Sequence, residues 1–474
     1  MIDDGTTRTV APRDAAGRTE VQAAPGAPQD GTPRPLPRAR LYLSIRMRAA
    51  LSMGIGLVWM LVSAWIAVPW ADDLGDHLTP VGAWVVIVGI ALVPGYLNMQ
   101  LLVTVVLDRP RPPTAVPPYP SLAVLVAAYN EEATIGETLR YLAASRYPGE
   151  VEFVVADDGS TDGTVAVVRE WMARDVRVRL VEAPHGGKAE ALNAALATVR
   201  APLVATIDAD TLVTTSALDR AVARLLSMPA DAVAVAGAVM VRNSRDNLLT
   251  RMQQWDYLVG IASVKRGQSL LQGTLVAQGA FSVYRADALR AAGGWPDAIG
   301  EDIVLTWAML RQGGRTGFEP TAIAFTDAPV RLRHFIRQRR RWARGMIEGL
   351  RVHGWALVRR GRTWGHAVAG NMIFPFLDAA YSLAVPAGIV LACTGRFWII
   401  GPLTLIVLPL NVTIGGVMFW RQRSAFREVG LRVRRGPRDL LGLLGFVLVY
   451  QLVMSPVSLS GYAAEALRLR RRWK

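Results

Sequence analysis

Apolar residues recur along this chain in several rhythms, and each predicts a different kind of element. Near the N-terminus, residues 51–70 and 81–107 are apolar without a polar face. As helices, each is long enough to cross a bilayer. From 121 to about 329, short runs rich in Val, Ala, Leu and Ile alternate with amphipathic stretches. Residues 122–127, 152–156, 178–181 and 203–207 read as buried strands, with helices at 131–145, 162–174 and 188–199 between them. This alternation predicts an α/β fold with a mostly parallel sheet and ligands at the carboxyl ends of its strands. After residue 330, Leu332, Phe335, Ile336, Trp342, Met346, Ile347 and Leu350 recur at helical spacing among arginines. They predict an amphipathic helix suited to a membrane interface. Apolar segments at 371–393, 397–420 and 440–464 close the chain. Residues 1–40, rich in Pro, Ala, Gly and Arg, lack periodicity and predict disorder.

The expected organisation is therefore a disordered tail (1–40), two membrane helices (41–110) and an α/β domain (111–330). Amphipathic interface helices (331–370) and a C-terminal membrane region with a basic tail (371–474) follow. A Pro-rich linker, 110–120, opens the α/β domain.

Charge refines this picture. The formal charge is +15, but the basic residues gather beside the apolar segments. Arg38, Arg40, Arg46 and Arg48 precede the first run, and Arg109 and Arg111 follow the second. The loop between the runs carries Asp72, Asp73 and Asp76 and no Lys or Arg. This asymmetry predicts an integral inner (cell) membrane protein with the N-terminus and the α/β domain in the cytoplasm. The first span has no clear cleavage site and reads as retained. The charge is read as topology and attraction to membrane lipid, not as a nucleic-acid surface. One conflict remains. The basic loop 421–439 suits the cytoplasmic side, yet a further span at 440–464 would place the basic tail 468–474 outside. Pro456 and the polar stretch 455–460 leave a re-entrant or interfacial element open.

Candidate chemistry lies at the strand ends. Thr206-Ile207-Asp208-Ala209-Asp210 closes a strand, where residues two apart point the same way. Asp208 and Asp210 can then converge on a divalent ion, although Asp-x-Asp alone is equally a turn or cap. Tyr129-Asn130-Glu131 ends the first strand and Asp157-Asp158-Gly159 the second. His185-Gly186-Gly187-Lys188 precedes a helix whose N-terminus suits phosphate. The single cysteine, Cys393, excludes an intrachain disulfide and a thiolate metal site. The five histidines (His77, His185, His334, His353 and His366) show no ligand spacing. A catalytic metal would therefore be held by carboxylates and phosphates, which points to Mg²⁺ or Mn²⁺.

In order and spacing, residues 121–342 resemble the family 2 glycosyltransferases of GT-A (Rossmann-like) fold, set here between N-terminal and C-terminal transmembrane helices. The resemblance implies a UDP-sugar donor, with Asn130, Glu131 and Asp158 at the uridine and Lys188 near the diphosphate. Asp208 would face the ribose or donor sugar, and Asp210 would ligate the metal. It makes Asp302 of Gly300-Glu301-Asp302 the general base of an inverting transfer. A helix N-terminal acidic pair is the plainer reading of those residues. Gln338-Arg339-Arg340-Arg341-Trp342 matches the Gln-x-x-Arg-Trp pattern of processive polymer synthases. By that pattern Arg341 would meet the diphosphate, and Gln338 and Trp342 a growing polysaccharide acceptor. A basic interfacial helix with a Trp anchor fits the same residues. Gly279, in Gln278-Gly279-Ala280, is a further acceptor candidate.

Among these synthases the chain looks most like those making poly-β-1,6-N-acetylglucosamine, although Gly300 stands where those relatives usually carry Thr. The expected activity is processive β-linked polymerisation of a UDP-sugar, best UDP-N-acetylglucosamine, with translocation across the membrane and room for a small membrane partner subunit. The alternatives are a hyaluronan-, chitin- or cellulose-type synthase, transfer of one sugar to a lipid, and an inactive polysaccharide-binding or transport component.

Overall fold

The computed structural model describes residues 43–108, 113, 118–270, 273–359, 363–400, 402–431 and 437–469. The expected disordered tail, most of the 110–120 linker and most of the basic C-terminal tail lie outside them. The two N-terminal apolar runs form the helices Ile45–Ile66 and Pro80–Leu107. The first begins earlier than its apolar run because Ser44 caps it, its hydroxyl accepting from the Met47 N–H at 3.2 Å. It ends earlier too, and residues from Val68 onward form a separate short helix, Val68–Gly75.

One sheet organises the middle of the chain. Its strands are β1 (Leu122–Ala128), β2 (Val151–Asp157), β3 (Val178–Glu182), β4 (Leu203–Asp208), β5 (Leu212–Val213), β6 (Ala232–Val241), β7 (Phe281–Arg285) and β8 (Arg315–Thr326). Their order is β3-β2-β1-β4-β7-β6-β8-β5. The four expected strands lie side by side and parallel. The expectation of a mostly parallel sheet fails beyond them: β7 runs antiparallel to β4 and to β6, and β5 antiparallel to β8. Strand–helix alternation licenses a parallel reading only where each strand returns through a crossover helix, and that pattern stops at β4. The sheet is mixed. Alternate residues of β1 and β2 feed opposite cores: Val124, Val126, Phe153 and Val155 one face, Ala123, Leu125, Val154 and Ala156 the other.

After the sheet comes the amphipathic helix Leu332–Gly349, as the arginine pattern predicts. The C-terminal segments form the helices Thr363–Cys393 and Pro402–Glu428 and a helical run from Pro437 to Ala466. Among the described residues, four segments are long and apolar enough to cross a membrane: Ile45–Ile66, Pro80–Leu107, Ala367–Cys393 and Asp439–Ala466. The polar stretch at 455–460 does not interrupt the helix, and Gln451–Ala466 passes through Pro456. Its polar residues have a partner instead: Ser455 and Tyr462 each donate to Asp378, both at 2.8 Å.

Candidate active site

Parallel pairing brings three strand ends together. Ala128 of β1 lies opposite Asp157 of β2, and Ala127 opposite Asp208 of β4. The turn after β1 needs Asn130 at φ 54°, a left-handed conformation that Asn tolerates better than most residues. Its Oδ1 accepts from the Thr161 N–H at 2.8 Å, tying the first turn to the second. Asp158 is buried. Its carboxylate accepts from the Gly186 and Gly187 N–H groups at 2.9 Å and pairs with His185 Nδ1 at 3.0 Å. In this structure Asp158 therefore organises the loop before Lys188. The His185 ring in turn stacks on Tyr129 with centroids 4.4 Å apart.

Lys188 opens the helix Lys188–Thr198. Its ammonium donates to Asp208 and lies 3.6 Å from Glu301 Oε1. Burial works against its charge, but Asp208 and Glu301 outweigh that and raise its pKa above the ordinary lysine value. Gly279 lies against this amine: a Cβ there would stand 2.7 Å from Lys188 Nζ. The structure thus places Gly279 beside the candidate diphosphate group. Asp210 is pushed up to about 6 by burial first, then by Asp208 and Glu131. Glu131 is itself raised, chiefly by burial.

Asp302 sits in the first turn of the helix Glu301–Arg311. Its Oδ1 accepts from the Ile303 N–H at 2.8 Å, and Thr306 Oγ1 donates to its carbonyl at 2.6 Å. Its neighbour Glu301 is pushed up to about 7 by burial and the Asp302 charge, against the pull of Lys188 and Arg341. Contacts therefore run from Asp208 through Lys188 to Glu301, and the charges of Asp302 and Arg341 act on Glu301.

The helix Leu332–Gly349 closes the other side. Arg341 is exposed and Trp342 half-buried, with the Trp342 ring 6.3 Å from that of Tyr257. Gln338 Oε1 is buried without a hydrogen-bond partner. Residues of the segment 256–265 support this side. Asp256 pairs with Arg339 at 2.7 Å, and Lys265 donates to Gln278 Oε1. Lys265 is buried, which pushes its pKa down to about 7. Lys265, Asp256 and Tyr450 were not singled out from sequence, and Glu301 was named only as part of an acidic pair. The signal available was weak: single polar residues inside mixed helices, whose burial depends on partners far along the chain.

Residues 117–345 match the family described as "Glycosyltransferase like family 2". They form a family 2 glycosyltransferase domain. The glycosyltransferase domain spans every strand of the sheet, and its match extends into the helix that carries Trp342. The chain is 31% identical over 268 residues to an N-acetylglucosaminyltransferase of Rhizobium meliloti (strain 1021), covering 53% of this chain and 62% of that protein. It is 30% identical over 240 residues to a poly-beta-1,6-N-acetyl-D-glucosamine synthase of Staphylococcus epidermidis, covering 50% and 57%. The chain thus spans less than two thirds of these relatives' lengths. Among solved structures, it is similar to the mannosyltransferase PcManGT from Pyrobaculum calidifontis in complex with GDP-Man and Mn2+. That likeness covers 90% of this chain and 99% of the other, at 20% identity and a TM-score of 0.51. The fold they share is GT-A, as the strand-end motifs imply.

Proposed function

We propose that this glycosyltransferase is processive and inverting, extending a β-linked polysaccharide with N-acetylglucosamine from UDP-N-acetylglucosamine and passing it through its membrane helices. The observation that carries this reading is that Lys188 bridges Asp208 and Glu301, the neighbour of Asp302, while the loop before Asp302 packs against the Gln-x-x-Arg-Trp helix at Gly345. The names of the two bacterial relatives support the choice of sugar.

On this reading Asn130 and Glu131 line the uridine side, and Asp158 shapes it by holding the 185–187 loop. Lys188 moves from Asp208 toward the diphosphate as Asp208 takes up the ribose or donor sugar, and Arg341 approaches from the opposite wall. A divalent ion suits this set. Asp208, Asp210 and Glu131 crowd charge that a cation would relieve. Among the described residues, no group of three His, Cys, Asp or Glu side chains is arranged to hold an ion unaided, so diphosphate oxygens would complete the shell around Asp210. When bound, Mg²⁺ or Mn²⁺ neutralises charge on the departing UDP. Asp302 takes the proton from the acceptor hydroxyl as that oxygen bonds to the anomeric carbon and the bond to UDP breaks. Attack opposite the leaving group turns an α-linked donor into a β-linked product.

Membranes carrying the protein, given UDP-N-acetylglucosamine and Mg²⁺ or Mn²⁺, should make long polymer. Asp302→Asn should slow transfer by about 10²–10⁴-fold, the usual worth of a general base, with UDP affinity kept. Release of only free sugar or a single-sugar lipid would end the processive reading. Absence of UDP release with every UDP-sugar would favour an inactive binding component.

A further inference from the structure

Arg339 is the second residue of Gln338-Arg339-Arg340-Arg341-Trp342, yet unlike Arg340 and Arg341 it points inward and is 3% exposed. Its guanidinium carbon sits 4.2 Å from the centroid of the Trp342 ring. Phe335, Tyr257 and Tyr450 close the box at 5.2, 5.8 and 5.9 Å. Asp256 supplies the counter-charge at 2.7 Å, and the Tyr450 hydroxyl donates to the same carboxylate at 3.0 Å. Three separate segments therefore meet on one cation. Tyr257 and Asp256 belong to the glycosyltransferase domain, Trp342 to the amphipathic helix and Tyr450 to the C-terminal helical run.

Stability alone does not account for this arrangement. Arg339 Nε and Nη2 are buried without hydrogen-bond partners, which costs free energy that an apolar side chain of similar volume would avoid. A planar cation stacked on an indole does fix the plane of that ring, and lysine lacks the flat face to do the same.

We propose that Arg339 is the positioning residue of Trp342: it sets the ring plane against which the acceptor sugar stacks, and through Asp256 and Tyr450 it ties that plane to the C-terminal helix. The proposal rests on the reading of Trp342 as the acceptor platform. It goes beyond that reading by assigning a role to a residue at one of the motif's variable positions, and by linking the acceptor site to a helix outside the glycosyltransferase domain.

The test uses the full-length protein in membranes with UDP-N-acetylglucosamine and a short β-linked N-acetylglucosamine oligomer as the acceptor probe. Arg339→Lys should raise the acceptor KM about tenfold, the scale of a lost desolvated cation–π contact, and shorten the polymer. The donor KM and the kcat at saturating acceptor should stay within about twofold, because the chemistry at Asp302 is untouched. Tyr450→Phe, which removes one hydroxyl and keeps the ring, should move the acceptor KM in the same direction by a smaller factor. The double variant Asp256→Asn, Arg339→Met should keep its thermal midpoint while losing acceptor affinity. Equal losses in donor and acceptor parameters for Arg339→Lys would overturn the proposal. An unchanged acceptor KM in both single variants would do the same. Trp342→Ala provides the separating arm: if it leaves the acceptor KM unchanged, the platform reading itself fails, and the proposal with it.

Discussion

At the scale of single residues, Asp-x-Asp is a common turn, and the environment of Asp210 is what sets it apart. Its ordinary value is 3.8, and burial with Asp208 and Glu131 raises it to about 6. The sign follows from that direction. Between about pH 4 and 6 the folded protein holds a proton that the unfolded chain has released, so stability from this group falls as pH rises through the window. A metal held by Asp210 would have to displace the same proton. Mn²⁺ affinity should therefore be flat above pH 6.5 and fall about tenfold per pH unit below 6, measurable by Mn²⁺ titration of UDP binding between pH 5 and 7.5. An affinity flat down to pH 5 would remove Asp210 as the ligand. The order of Asn130, Asp158, Lys188, Asp208 and Asp302 was legible in the sequence because each ends a strand or opens a helix. The inward turn of Asp158 onto Gly186 and Gly187 was not, because it depends on how two strand ends sit side by side. The burial of Glu301 was hidden for a similar reason: sequence gives no packing distance between its helix and Lys188.

At the scale of elements, the loop before Asp302 and the Trp342 helix are held together by two glycines. A Cβ on Gly300 would lie 2.7 Å from Gly345 Cα, so the loop before Asp302 packs backbone to backbone against the amphipathic helix. Glu348 fastens the contact, its Oε2 accepting from the Ile299 N–H at 2.8 Å and the Gly300 N–H at 3.3 Å. The departure from Thr at position 300 was visible in the sequence, but its reason lies on another helix. Gly300→Thr should force the two elements apart, destabilise the protein by about 1–3 kcal/mol as overpacking does, and reduce transfer more than UDP affinity. Thermal unfolding in detergent and a UDP-release assay together measure it. A variant as stable and active as the parent would show that the close approach is dispensable.

At the scale of the whole molecule, the unresolved question from sequence was where the last helix goes. Composition makes Asp439–Ala466 look like a span, and hydropathy cannot distinguish lipid from protein as the partner of an apolar face. Its neighbours can. The C-terminal helix runs alongside Leu332–Gly349 in the same direction: Tyr450 meets Phe335, with ring centroids 5.5 Å apart. Gly461 meets Ala343, and Glu465 pairs with Arg344 at 3.3 Å and Arg351 at 3.0 Å. The amphipathic helix exposes Arg333, Arg337, Arg340 and Arg341, too many charges to cross hydrocarbon. Its companion ends beside it, and Arg344 Nη2 donates to the Leu469 carbonyl at 2.9 Å. Residue 469 should therefore lie on the same side of the membrane as the glycosyltransferase domain, which also satisfies the charge rule for the basic tail. Cys393, exposed at the far end of Thr363–Cys393, supplies the contrast. It precedes Trp398, whose ring lies 3.7 Å from that of His77 in the acidic loop between the first two spans. An impermeant maleimide should label Cys393 in intact cells. A Leu469→Cys variant in a Cys393→Ser background should react only in inverted vesicles. Labelling of position 469 from outside would mean that the last helix crosses the membrane and that the Arg344 and Arg351 contacts to Glu465 do not form in the bilayer.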